Sequence, residues 1–127
     1  MEKALKTISK FQAEKAMKKA GLNDPARGMT PASIASSGHA FELKENGQTG
    51  TFVAEKRGPE LWIHGAAGDK NMSTTGNIWN VLDKLAGALD CQHVAFQTSR
   101  PGLVKIARKH GYKIAAVILE KSVQNGR

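Results

Sequence analysis

Apolar residues recur along this chain with two different periods, and each change of period marks an element. In the first twenty residues, Leu5, Ile8, Phe11, Ala16, Met17 and Ala20 are spaced for one face of a helix. Inside that stretch Ser9-Lys10-Phe11-Gln12 is a capping-box pattern, which would start the helix at Lys10 and leave residues 3–8 as a short strand. Both readings fit the sequence. Gly21 suits the helix stop. Residues 26–38 are rich in Gly, Pro, Ser and Thr, where Thr30-Pro31 suits either the cap of one helical turn or a surface loop.

Three short runs follow, at residues 39–44, 50–55 and 60–66. Asn46-Gly47 between the first two is a strong hairpin signal, and Arg57-Gly58-Pro59 makes the next turn, so an antiparallel meander is expected. The period then returns to that of a helix over residues 77–89, with Ile78, Val81, Leu82, Leu85 and Leu89 on one stripe. Residues 93–97 read as a short buried strand. Residues 100–110 read as a helix with Leu103, Val104, Ile106 and Ala107 inward and Lys105, Arg108 and Lys109 outward. Gly111 ends it, residues 113–119 read as a final β-branched strand, and residues 122–127 as a frayed tail. The fold class expected is α/β: one domain over residues 1–127 with a mixed sheet, an antiparallel meander followed by helix–strand–helix–strand. Its parts are a variable helical region at 1–38, a core at 39–121 and the tail.

Composition sharpens this only in places. A chain of 127 residues with 40% apolar content supports one core rather than two. No run nears the roughly 18 apolar residues of a membrane span, and the start Met1-Glu2-Lys3-Ala4 has no signal-peptide apolar region, so no membrane partner and a cytoplasmic location are expected. Cys91 is the one cysteine, which excludes an internal disulfide and a Cys-based metal site and suggests a small buried hydrophobe. His39, His93 and His110 show no metal-ligand spacing, so no metal is expected. Charge is more telling. The net charge of +8 sits at the two ends, with seven basic and three acidic residues in 1–27 and seven basic and one acidic in 100–127. Such a field attracts polyanions: nucleic acid, a phosphate-rich cofactor or an acidic surface. Trp62 and Trp79 fall on predicted core elements and read as packing anchors rather than base-stacking platforms.

The most suggestive chemistry lies in the strand–loop–helix unit at residues 61–82. Gly65, Ala66, Ala67 and Gly68 allow close backbone approach, and Gly76-Asn77 opens a helix whose N-terminal amides suit a pyrophosphate. Neither a dinucleotide-fold G-x-G-x-x-G nor a P-loop is present.

The order of elements, with a helix ending Lys109-His110-Gly111-Tyr112, resembles the GNAT superfamily of acyltransferases over residues 41–121. The local match is strongest at residues 100–112, similar to the family helix that ends in Gly-Phe before its last paired strand. Residues 61–68 and 91–100 look most like small GNAT-like proteins of tailed phages, some of them virion components. The resemblance implies a sheet that splays between the strands at 61–66 and 93–97, with acetyl-CoA as co-substrate in the split. It implies cofactor binding by Gly65, Ala66, Gly68, Thr74, Thr75, Gly76, Asn77 and Arg100. The family phosphate loop, laid on Asn71-x-x-Thr74-x-Gly76, matches at Gly76 alone; Thr74 and Thr75 serve equally as helix caps.

Acyl transfer to an amine needs a general base. The resemblance puts one on the cofactor-binding strand, where Glu60 and His64 are the titratable groups, four apart and so on one face. His64 is the first choice, because imidazole is the side chain that ordinarily titrates nearest neutral pH. The family's thiolate-protonating tyrosine falls at Ala107 here, and Tyr112, the chain's one tyrosine, falls at the family's packing aromatic. Two functions follow as expectations. One is an acetyl-CoA-dependent N-acyltransferase with an unknown amine acceptor chosen by residues 21–38. The other is an inactive GNAT-like phage or virion protein that binds nucleic acid or a protein partner, in the host cytoplasm or the particle.

Overall fold

The computed structural model describes residues 3–24, 28–45, 47–68, 78–98 and 100–123. Its sheet has five strands in the order β1 (Lys3–Ile8), β2 (His39–Glu45), β3 (Gln48–Arg57), β4 (Glu60–Gly68), β5 (His93–Phe96). The first four pair antiparallel, and β4 with β5 is parallel. Helices α1 (Lys10–Lys19) and α2 (Pro31–Ser36) lie between β1 and β2 in the chain, α3 (Ile78–Ala88) lies between β4 and β5, and α4 (Pro101–Lys109) follows β5.

The start of α1 shows how a local signal decides between two readings. Ser9 Oγ accepts the Gln12 N–H, and Gln12 Oε1 accepts the Ser9 N–H, each at 3.1 Å. Two amides without intrahelical partners are thereby satisfied. The helix begins at Lys10, and residues 3–8 are released to pair with β2. The same device, Thr30 with Ser33 behind Pro31, makes α2 a helix rather than a loop. The early start reassigns the apolar face: α1 buries Ala13 and Met17, and Phe11 is 75% exposed. Phe11 and Ala13 are two residues apart, about 200° around the helix, so they cannot share a face.

The sheet is covered on both sides because its strands alternate. Val53 joins Ala13, Met17, Ile34, Ala35 and Ala40 in a cluster under α1 and α2. Its neighbours Phe52 and Ala54 point the other way and join Leu61, Ile63, Leu82 and Ala86 under α3. The stripe read on α3 is therefore its core face, although Leu89 falls in the turn after the helix and is 38% exposed.

Two expectations need correction. The strand at 93–97 is half-buried rather than buried, because β5 is the edge of the sheet. The run at 113–119 forms no strand: residues 112–123 make no strand pairing, and Ile114, Val117, Ile118 and Leu119 are 65%, 75%, 59% and 90% exposed. Its β-branched residues favour an extended backbone, but a ladder needs a partner edge, and a groove separates this run from β5. No helix among the described residues is long and apolar enough to cross a membrane.

Candidate active site

Strands β4 and β5 are joined at one end and part at the other. The Pro59 carbonyl accepts both the Gln92 and His93 N–H groups, at 2.7 and 3.1 Å, fixing the start of β5 beside the start of β4. The ladder then runs through Glu60–His93, Leu61–Val94, Trp62–Ala95 and Ile63–Phe96, and there β5 ends. β4 continues to Gly68, and among the described residues its ladder partner there is β3, through to Gly50. Along residues 64–68, alternate N–H and C=O groups face away from β3, with no strand opposite them among the described residues.

The parting coincides with an irregularity. Ala54 faces Ile63 but Val53 faces Gly65, so His64 is an extra residue on β4. A bulge of this kind twists a strand and re-aims a side chain. The next position must be glycine, since a Cβ on Gly65 would lie 2.6 Å from Ile34 Cγ2 and 3.4 Å from Met17 Sδ. The glycine lets α1 and α2 close down on the sheet beside the bulge.

The bulged side chain meets a carboxylate. His64 Nε2 lies 2.8 Å from Glu55 Oε1, and the same oxygen accepts Arg57 Nε–H at 3.0 Å. The guanidinium also sits over the Trp62 ring, 5.4 Å from its centroid, which places it beside the carboxylate. The hydrogen bond from His64, and after it that from Arg57, holds the Glu55 carboxyl below its usual range. An ionised carboxylate only accepts, so Nε2 carries the proton of the neutral imidazole and donates it. Nδ1 is then the nitrogen with a free lone pair. The His64 side chain is 14% exposed and that of Glu55 40%, so the pair is open on the carboxylate side.

Because the folded value of Glu55 is depressed, its contribution to stability is present above the ordinary carboxyl value of 4.5 and is lost as the pH falls through the folded value. Thermal melts of wild type and Glu55→Gln across the acid range will show a gap at neutral pH that closes toward the acid end. The exposure of the pair keeps that gap small.

Of the residues singled out from sequence, His64, Gly65, Ala66 and Gly68 lie together on the freed stretch of β4. Ala66 and Gly68 are exposed, opposite Phe52 and Gly50. Glu60 stands at the start of β4, paired with Arg57 and His93; the carboxylate bonded to His64 is Glu55. Thr74, Thr75, Gly76 and Asn77 lie outside the described residues. Arg100 is exposed as the N-cap of α4, its N–H donating to Thr98 Oγ1 at 3.1 Å. Further along α4, Lys105, Arg108 and Lys109 with Pro101 and Val104 line a shallow hollow of about 420 Å³.

Aromatic residues from α3, β5 and the segment after α4 pack together at the end of β5. Phe96, Trp79 and Tyr112 meet edge-on or tilted with centroids 5.3 to 6.2 Å apart, and His110 stacks on Trp79 at 5.0 Å. Trp79 is thus a packing anchor, whereas Trp62 is half-buried under Arg57. Burial, and after it the nearby Asp83 charge, pushes the Tyr112 phenol up to about 12, so it stays neutral at physiological pH. Ala107 is buried in the body of α4. Cys91 is partly buried against the α3 cluster.

By sequence, no family model and no curated protein matches this chain. Solved structures do. The aminoglycoside N-acetyltransferase AAC(6')-Iy, in complex with a bisubstrate analogue of CoA, superposes with a TM-score of 0.60 at 12% identity over 98% of this chain and 99% of its own. Glucosamine-6-phosphate N-acetyltransferase from Arabidopsis thaliana gives 0.55 at 12% identity over 98% and 100%. A putative acetyl transferase from Pyrococcus furiosus gives 0.60 at 14% identity over 96% and 100%. With a five-stranded mixed sheet among the described residues and superposition over nearly its whole length, the chain has the GNAT fold.

Proposed function

We propose that this protein is an acetyl-CoA-dependent N-acetyltransferase acting on a primary amine. The observation that carries the reading is the parting of β4 from β5 after Ile63 and Phe96, with His64 bulged out at that point. The small residues Gly65, Ala66, Ala67 and Gly68 leave backbone donors and acceptors accessible to an amide-bearing chain, as pantetheine is. Acetyl-CoA supplies the acyl group as a thioester. Structural neighbours crystallised with CoA or a bisubstrate analogue support this choice of co-substrate.

The chain's own residues divide the work. An ammonium group must lose a proton before it can attack, since an unperturbed lysine-type amine has a pKa of about 10.4. His64 accepts that proton at Nδ1, and Glu55 holds the ring by Nε2 and stabilises the imidazolium once it forms. Backbone N–H groups on residues 64–68 are donors for the developing oxyanion. Arg100, with the basic side of α4, attracts the coenzyme's phosphates.

Differential scanning fluorimetry with acetyl-CoA tests the binding half. At about one hundred times Kd a ligand specific for the folded state adds about 2.7 kcal/mol, which raises the melting temperature by several degrees. CoA release over a panel of primary amines then identifies the acceptor class. No thermal shift at saturation contradicts the reading.

A further inference from the structure

We infer that the amine acetylated by this protein also carries a carboxylate or a phosphate, and that the Arg57 guanidinium selects it. The inference rests on the acyl-transfer reading above and names the acceptor class for that site. Direction is the first constraint. The freed stretch of β4 runs from His64 to Gly68, so the coenzyme attributed to it occupies that side of the imidazole. The acceptor has to reach His64 from the opposite side, along the strand toward Trp62. Glu55 and Trp62 are register partners, Arg57 lies two residues beyond Glu55, and His64 is bonded to Glu55, so all four share one face of the sheet. The chain leaving α2 borders the same patch, since a Cβ on Gly38 would run into the Ala54 carbonyl and lie 3.3 Å from Glu55 Cβ.

The cation on this patch is held in place. The guanidinium lies over the Trp62 ring, 5.4 Å from its centroid, and donates Nε–H to Glu55 Oε1 at 3.0 Å. Those two contacts orient a planar group that has five donors. Glu60, across the ladder from Arg57, makes no ion pair with it, and among the described residues Nε is the donor in use. The Nη edge of a side chain that is 53% exposed is therefore open. A fork of this shape matches a carboxylate or phosphate through two parallel hydrogen bonds. Glu55 accepts from both His64 and Arg57 on one oxygen, which leaves its second oxygen for an arriving ammonium group. Positive and negative groups thus lie side by side next to the base, complementary to an amine with an acidic group. A diamine would bring its second charge against the guanidinium.

Matched acceptors test this on the full chain, with CoA release from acetyl-CoA as the readout. The carboxylate arm sets 4-aminobutyrate and 1,4-diaminobutane against 1-aminobutane, and the phosphate arm sets O-phosphoethanolamine against ethanolamine. In the wild type, kcat/KM for an acidic amine is expected to exceed that of its neutral match by about tenfold, the low end for a charge-assisted hydrogen bond because the site is exposed. Arg57→Gln is expected to bring that ratio near one, and Arg57→Lys to keep part of it. A ratio taken within one variant is unaffected by any change in its overall rate. A second readout needs no turnover: the same amines are titrated without acetyl-CoA while the Trp62 indole N–H, assigned with Trp62→Phe, is followed by NMR. Acidic amines are expected to shift it in the wild type and not in Arg57→Gln. Equal or better use of the neutral or doubly cationic amines, or an unchanged ratio in Arg57→Gln, overturns the inference and leaves acyl transfer standing. No CoA release with any amine, while acidic amines still shift Trp62, overturns acyl transfer and keeps Arg57 as an anion-binding group; no release and no shift overturns both.

Discussion

Replacing His64 with alanine is expected to lower kcat/KM for acyl transfer by about 10²- to 10⁴-fold, the usual contribution of a positioned general base. Acetyl-CoA affinity should hardly move, because the coenzyme is attributed to backbone groups of β4 and to basic residues, not to the imidazole. The arrangement that motivates this is specific. The extra residue at the Val53/Ala54 register shift is the histidine itself, and its Nε2 is taken by Glu55 at 2.8 Å. Glu55→Gln provides the companion result: without the carboxylate that accepts from Nε2, the ring loses the partner that orients it, and kcat/KM is expected to fall while acetyl-CoA affinity stays the same. The readout is CoA release with the amine the wild type acetylates, alongside calorimetric binding of acetyl-CoA. Retained activity in His64→Ala would remove the base from His64 while leaving the fold and the parting of β4 from β5 as they are.

The second large effect is structural. Phe52→Ala is expected to cost about 3–5 kcal/mol, the range for emptying a buried phenylalanine site. Phe52 is 1% exposed on the central strand, stacked on Phe41 at 5.2 Å between centroids. It clusters with Leu61, Ile63, Leu82 and Ala86, so its loss opens a cavity between the sheet and α3. A domain of this size has about 5–15 kcal/mol of stability in all, and the melting temperature should drop by about 10–25 °C. Phe11→Ala is the control: at 75% exposure it should change stability by about 0.5 kcal/mol or less. If the two variants melt alike, the assignment of the α3 face as core is wrong.

What could be read from the residues, and what could not, follows the range of the interactions. Capping at Ser9 and Thr30 acts over three residues and is visible in the chain. So is the hairpin at Asn46-Gly47, whose flanking Glu45 and Gln48 are paired. The stripe on α3 needs only helical periodicity. The parting of β4 and β5 was implied by likeness to a family, and the structure contains it. The His64–Glu55 pair is different. These residues are nine apart and meet only through the antiparallel register of β3 and β4 with one residue bulged, which no local pattern encodes. Glu60, visible from its spacing to His64, lies on the same strand, whereas the bonded carboxylate lies on the neighbouring one. The run at 113–119 fails the opposite way: its propensity is legible, but pairing is a property of the edge it meets, and no strand among the described residues pairs with it.

The central claim is that the stretch of β4 beyond Ile63 presents unpaired backbone to an acyl-CoA. Hydrogen exchange at the amides of residues 64–68, with and without saturating acetyl-CoA, tests it most directly. The account predicts that amides facing the open side exchange fast in the free protein and slow on binding, while those bonded to β3 are slow throughout. Uniformly slow exchange in the free protein, or amides that stay fast with acetyl-CoA bound, would contradict it.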